Sequence, residues 1–308
     1  MNKSPEYSFT VEIEKYLIKF RKYLQNKQLD KNTIRMKTNY TGYFLKWLET
    51  ENLQQTTVTY NDLLDFINYC KEKGKSPKLI NSNLRAIRNY YEYLKTNPDS
   101  YREKYLINPA KNLHLKGIRK KLPSNILSYE TLEELYNDYE AYDLRTKRNR
   151  IILSLLIYQA VTTEDLHRIQ VNDIDLRNGK LNVPGSKRSN NRKLELKSVQ
   201  ILELQEYINE IRPKLIKQKT EQLIISITGS ENIKPSLFNM FKQIKNYNPN
   251  IRNAKQIRLS VITFWLKNHN LRKVQYLSGH KYVSSTERYQ MNNIESLQKQ
   301  LDLFHPLR

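Results

Sequence analysis

The chain holds one cysteine in 308 residues, Cys70. One thiol excludes a disulfide and a cysteine zinc site within a single chain, and its spacing after Phe66 and Ile67 predicts a helical core position. No apolar run approaches the ~20 residues of a membrane span. Met1-Asn2-Lys3-Ser4-Pro5 leads into no signal-peptide core, so an intracellular, cytoplasmic protein with no membrane partner is expected. No internal repeat and no low-complexity segment interrupts the sequence. Acidic residues are few relative to basic ones. Lys and Arg number 53 against 31 Asp and Glu, a formal charge of +22, far beyond the roughly 2–8 charges that solubility of a small domain needs. A field of that sign favours a polyanion, bound fast and with a steep salt dependence. Nucleic acid is the favoured partner.

The length allows two domains with a core each. Between Phe9 and Leu94 the apolar residues fall at helical spacing four times over: Ile13, Leu17, Phe20 and Leu24; Ile34, Phe44, Leu45 and Leu48; Leu63, Phe66, Ile67 and Cys70; then Ile80, Leu84, Ile87, Tyr91 and Leu94. Ser76-Pro77 is a cap and first-turn proline for the last of these. Lys78, Arg85 and Arg88 share another of its faces, which within so basic a chain reads as a phosphate-contacting face. Residues 111–123 carry Lys111, Lys116, Arg119, Lys120 and Lys121 between prolines, and read as a basic linker that lies on DNA. This gives a helical domain over residues 1–110, the linker, and a second domain over 124–308.

In the second domain Ser128 caps a helix bearing Leu132 and Leu135, and Ile151 to Ile157 is the most apolar run, read as a buried helix. Lys180 to Pro184 and Lys193 to Leu196 alternate as two short strands around a basic loop. Near the C-terminus Leu271, Val274 and Leu277 are helically spaced, and Gly279 can take the left-handed conformation that ends that helix. Ser284, Ser285 or Thr286 can cap the helix that follows. His280 then lies on a turn, and Tyr289 just inside the next helix.

Leu277-x-Gly279-His280 followed by Thr286-x-x-Tyr289 resembles the C-terminal signature of the tyrosine recombinases, the phage integrase family. The resemblance implies a mainly helical protein with a small β-hairpin, in which an N-terminal core-binding bundle and a mixed α/β catalytic domain form a clamp around double-stranded DNA. It implies Tyr289 as a nucleophile toward a phosphodiester, giving a covalent 3′-phosphotyrosine, and His280 as its neighbouring histidine. Metal-free attack by a tyrosine needs cationic donors on the phosphate oxygens and an acid for the leaving 5′ oxygen. Arginine forks suit the first task. A lysine whose pKa is lowered suits the second. Lys255-Gln256-Ile257-Arg258 is similar to the family's His-x-x-Arg box, with Arg258 holding phosphate and Lys255 in the histidine position. Lys187 in the basic loop is the expected general acid, with Arg188 and Lys193 as alternatives. No metal or nucleotide cofactor is implied.

The first box departs from the pattern. Ala160-Val161-Thr162-Thr163-Glu164-Asp165-Leu166 aligns with Gly-Leu-Arg-x-x-Glu-Leu, so Thr162 stands where the first catalytic arginine belongs. The expected replacement is Arg150, with Arg148 and Arg168 as alternatives; a catalytically silent DNA-binding protein of the same fold is the competing reading. After Tyr289, Ile294, Leu297, Leu301 and Phe304 recur at helical spacing. In the family such a tail packs into a neighbouring protomer, implying a tetramer on two DNA sites.

Overall fold

The computed structural model describes residues 9–96, 107–117 and 125–290. The chain divides into two compact units, with the division in sequence between Lys120 and Lys121. Among the described residues no helix is long and apolar enough to cross a membrane.

The first unit contains α1 (Val11–Asn26), α2 (Lys31–Thr50), α3 (Tyr60–Glu72) and α4 (Pro77–Thr96). Each begins where the sequence provides an acceptor for orphan backbone N–H groups: Thr10, Asp30, a Thr59–Asp62 capping box, and Ser76, whose Oγ accepts from Leu79 N at 3.3 Å. The four apolar stripes converge on a core that includes Leu17, Phe20, Phe44, Leu63, Phe66, Ile80 and Ile87, with Cys70 fully enclosed. Aromatic rings interlock within it; Phe20 and Tyr90 meet edge to face at 5.3 Å, a favoured geometry for ring quadrupoles.

The stretch expected to be a free linker from residue 111 is instead docked on α4 as far as Leu115. Ala110 and Leu113 are buried in the core. Asn81 and Leu115 exchange two hydrogen bonds of 3.0 and 2.8 Å. Arg88, expected on a phosphate-contacting face, is committed to this docking: its Nε donates to Ala110 O at 2.9 Å and its Nη2 to Leu113 O at 3.1 Å. Two carbonyls in a turn offer what an exposed phosphate would, and they are always present. Lys78, Arg85 and Lys116 are exposed. Arg119, Lys120 and Lys121 lie outside the described residues.

The second unit begins with α5 (Tyr129–Asn137), capped by Ser128, and α6 (Leu144–Tyr158), opened by an Asp143–Thr146 capping box. All side chains from Ile151 to Ile157 are buried, as a helix apolar all round demands. It ends at Tyr158, and two residues on Ala160 has a left-handed φ of 47°. A short helix α7 (Thr163–Arg168) follows, then three antiparallel strands, β1 (Ile174–Asp175), β2 (Lys180–Val183) and β3 (Arg192–Glu195), in that order across the sheet. Leu181 pairs with Leu194 and Val183 with Arg192. Side chains alternate across a sheet, so Arg192 shares the buried face with Leu194. Helix α8 (Ser198–Glu206) runs through a π-helical turn, Tyr207–Ile211, into α9 (Arg212–Leu215). Then come α10 (Lys234–Tyr247), α11 (Ala254–Asn268), capped by Asn253, and α12 (Leu271–Ser278), capped by Asn270. Gly279 ends α12 with a φ of 69°. A final helix starts at residue 283 and is described through residue 290.

Candidate active site

Helix α11 delivers Arg258 to the point where α6, α12 and the last helix meet. Its Nη1 donates to the carbonyl of Ala160, and its Nη2 to Ser278 O at 2.6 Å. The left-handed turn at Ala160 therefore has a purpose, since it aims a backbone acceptor at the arginine. Both nitrogens of the fork are held from behind by carbonyls, which fixes its direction more firmly than packing alone. Burial, and then the neighbouring charge of Arg192, lower the Arg258 pKa to about 10, so it remains a cation at neutral pH.

His280 follows the Gly279 turn. Its Nε2 lies 3.3 Å from Arg258 Nη2, its Nδ1 lies 2.9 Å from Thr286 Oγ1, and its ring stacks on that of Tyr289 with centroids 5.6 Å apart. Burial, followed by the charges of Arg258, Arg192 and Arg288, lowers its pKa to about 4. Ser284, Ser285 or Thr286 was expected to cap the last helix, but that helix starts earlier, at residue 283. Thr286 lies inside it, fully buried, and holds the histidine. Tyr289, half-buried, packs against the core of this unit.

The loop between β2 and β3 reaches the same place. Ser186 closes it into a tight turn, Oγ accepting from Arg188 N and Ser189 N at 3.1 Å each, and Ser189 O accepting from Ser186 N at 2.8 Å. Asn190 N donates to Gly279 O at 3.0 Å, and Ser189 pairs with His280 as an isolated β-bridge. Exposed Lys187 and Arg188 form the tip of that turn. Lys193 faces outward from β3, its backbone bonded to Tyr276 Oη. Lys255 is exposed one turn before Arg258 on α11.

The first box contains no arginine, and the expected substitute does not reach it. Arg150 is spent elsewhere: Nε pairs with Glu203 at 2.8 Å, Nη1 donates to the carbonyls of Tyr136 and Tyr139, and the guanidinium lies over the Tyr136 ring at 4.4 Å. Arg150 lies eight residues before the end of α6 at Tyr158, so about 12 Å of helix rise already separates it from the turn that leads to Thr162. Arg148 is buried against Asn149, Ser236 and Ile225 O. Thr162 itself only caps α7, in a reciprocal box with Asp165: Thr162 N donates to Asp165 Oδ2 at 2.9 Å and Asp165 N to Thr162 Oγ1 at 3.0 Å.

Two other arginines meet at that aspartate. Arg168 Nη2 approaches Asp165 Oδ1 at 2.5 Å, and Arg192 Nη2 approaches Oδ2 at 3.1 Å. Burial raises the Asp165 pKa, but the Arg192 charge and the Thr162 hydrogen bonds more than offset that and hold it below the usual carboxylate range. The Arg192 side chain has no exposed surface. From Asp165 it extends under the Gly279 turn, so closely that a Cβ on Gly279 would collide with its Nη1. Arg192 was missed by sequence reasoning. The available signal was an arginine at the inward register of a short strand, two residues from Leu194.

Residues 125–295 match the model of the phage integrase family, and residues 17–97 that of the phage integrase N-terminal SAM-like domain. The chain is 26% identical over 297 residues to a tyrosine recombinase XerD of Staphylococcus saprophyticus subsp. saprophyticus, covering 92% of this chain and 97% of the relative. It is 26% identical over 308 residues to a tyrosine recombinase XerC of Oceanobacillus iheyensis, covering 96% and 97%. Its fold is similar to that of a XerH site-specific recombinase bound to a palindromic difH substrate in a post-cleavage complex, with TM-score 0.75, 19% identity, and 97% and 99% of the two chains covered. It is also similar to the Tn1549 transposon integrase in complex with transposon right end DNA, with TM-score 0.65, 16% identity, and 93% and 99% covered.

Proposed function

This chain belongs to the phage integrase family of tyrosine recombinases, enzymes that cut and rejoin DNA at specific sites without a metal, and we propose that Tyr289 is its nucleophile, served by Arg258, His280 and Lys187. The observation that carries this assignment is the convergence of Arg258, His280 and Tyr289 within one hydrogen-bonded and stacked cluster. Arg258 is aimed, charged and half-buried, as a donor to a non-bridging phosphate oxygen must be. His280 is a neutral imidazole against the phenol ring, able to accept its proton at Nε2 once the hydrogen bond from Arg258 Nη2 there is given to the phosphate instead.

The phenolate oxygen of Tyr289 bonds to phosphorus as the bond to the 5′ oxygen breaks. Lys187, at the hairpin tip beside the Gly279–His280 turn, gives its proton to that 5′ oxygen. A 3′-phosphotyrosine and a free 5′ hydroxyl result, and attack by a 5′ hydroxyl in the reverse sense reseals a strand. The number of phosphate ester bonds is unchanged, so no nucleotide is consumed. Lys255 adds a second donor on the phosphate side of α11. Lys78, Arg85 and Lys116 contact the backbone of double-stranded DNA, as do Arg119, Lys120 and Lys121. Four copies act together on two DNA sites through the tail after residue 290, in the cytoplasm with the DNA.

Covalent capture tests the assignment. Nicked duplexes with a randomised core are incubated with the chain, and protein–DNA adducts are isolated under denaturing conditions and sequenced. The wild type should enrich one sequence class, and Tyr289→Phe should bind that class without forming adduct. Absence of any wild-type adduct would defeat the reading.

A further inference from the structure

Thr162 cannot supply a charge, and neither Arg150 nor Arg148 is free to do so. Yet the position beside Thr162 is not without a cation. Arg192 reaches it from β3, across the sheet edge rather than along the helix, and ends on the carboxylate that also caps Thr162. The geometry points to Arg192 as the positive charge that replaces the missing arginine of the first box, acting on the scissile phosphate across the Gly279 turn. This rests on the assignment of Tyr289 as nucleophile.

Three observations carry it. The side chain is completely enclosed, but only Nη2 has a partner; Nε and Nη1 have no acceptor among the described residues. Buried donors are nearly always paired, so two unpaired nitrogens on one guanidinium call for a function or a partner that arrives later. Secondly, Asp165 does not neutralise Arg192 alone, because its other oxygen serves Arg168. The cluster keeps a net positive charge. Thirdly, Nη1 lies directly under the residue that precedes His280, so the charge is next to the turn on which the Arg258–His280–Tyr289 cluster is built. Its influence there is already visible, since Arg192 contributes to lowering the pKa of both Arg258 and His280. In a poorly screened interior a charge need not touch the phosphate to favour the negative charge that develops on it.

The test removes the charge from the substrate instead of only from the protein. The duplex selected by covalent capture is synthesised twice, with an ordinary scissile phosphodiester and with a methylphosphonate, in which a methyl group replaces one charged oxygen. Arg192→Ala should lose about 100-fold or more in adduct rate on the phosphodiester, with duplex affinity retained. On the methylphosphonate it should come within a few-fold of the wild type, because there is no longer a charge to neutralise. Arg192→Lys, which keeps the charge, should retain at least about a tenth of the wild-type rate on the phosphodiester. A structural residue would not be rescued by changing the substrate, so equal loss on both substrates overturns the proposal, as does an Arg192→Ala rate equal to wild type. If Arg192→Ala does not fold, Arg192→Gln, which keeps most of the side-chain volume and removes the charge while Asp165 stays paired with Arg168, is measured in the same way and judged by the same outcomes. Lack of wild-type adduct defeats the Tyr289 assignment; wild-type adduct with an indifferent Arg192 defeats only this one.

Discussion

Arg258 Nη2 stands 3.3 Å from His280 Nε2, and that contact fixes the state of the imidazole. A guanidinium can only donate. Nε2 must therefore be the acceptor, and the ring proton sits on Nδ1, donated to Thr286 Oγ1. The histidine is held as a neutral base by an arginine on one side and a threonine on the other.

His280 should stay unprotonated throughout the range in which an ordinary histidine titrates. Its folded pKa is about 4, below the unfolded value of about 6.5. The uncharged ring's contribution to stability is then present above about pH 6.5 and is lost as pH falls toward 4. NMR of the labelled ring should show no titration between pH 5 and 8, and the Nδ1–H tautomer throughout. A midpoint near 6.5 would contradict the enclosed geometry.

Thr286→Val keeps the buried volume and removes the oxygen that accepts from Nδ1. The Nδ1–H loses its acceptor and the ring one of its two anchors, and adduct formation should slow by roughly tenfold or more, on the scale of a misdirected general base. Duplex affinity measured by gel shift should hardly change, because no phosphate donor is altered.

Arg150→Ala should damage the fold and spare the chemistry. Its pair with Glu203 is partly enclosed, and two carbonyls lose their donor with it. Destabilisation of about 1–3 kcal/mol is expected, read as a lower denaturation midpoint. The adduct rate per folded molecule should equal wild type; a selective loss of cleavage would restore Arg150 to the active site.

Arg85→Ala and Arg88→Ala should separate on a salt titration. Arg85 is exposed, so its loss should reduce the slope of log affinity against log salt by about 0.9 if it contacts a phosphate. Arg88 is bound to Ala110 O and Leu113 O. Its loss should lower the stability of the first unit and leave the slope unchanged.

Gly279→Ala should abolish adduct formation and lower the melting temperature. The left-handed φ of 69° alone disfavours a Cβ by roughly 1–2 kcal/mol, and that Cβ also strikes Arg192. A variant with wild-type rate would show that the turn and Arg192 are not in contact.

The helices were legible because caps and 3.6-residue periodicity are local properties: Ser76 and Ser128 each mark a start that the structure contains. The last-box turn was legible because Gly279 and His280 are neighbours in sequence. The partners of isolated arginines were not. Arg150, Arg148 and Arg88 all looked like surface cations near the right motifs, and all three have protein acceptors that only the tertiary fold brings together. The substitute cations read from the sequence, Arg150, Arg148 and Arg168, lie on the two helices that flank Thr162, whereas Arg192 arrives from a strand paired across the sheet, thirty residues on from Thr162. A charge on the inward face of a strand is readable in a sequence only when its register is known.

The hairpin tip and the histidine turn are stitched together by the Ser189–His280 bridge and by the bond from Asn190 N to Gly279 O. The turns that carry Lys187 and His280 are thus joined backbone to backbone, so that a shift of one draws on the other. Such a centre has no separate forward and backward settings: the arrangement that severs a strand is also the one that seals it. Which strands emerge joined must then be decided by how the DNA ends are presented, as in a turnstile that turns equally well either way and takes its direction from the queue.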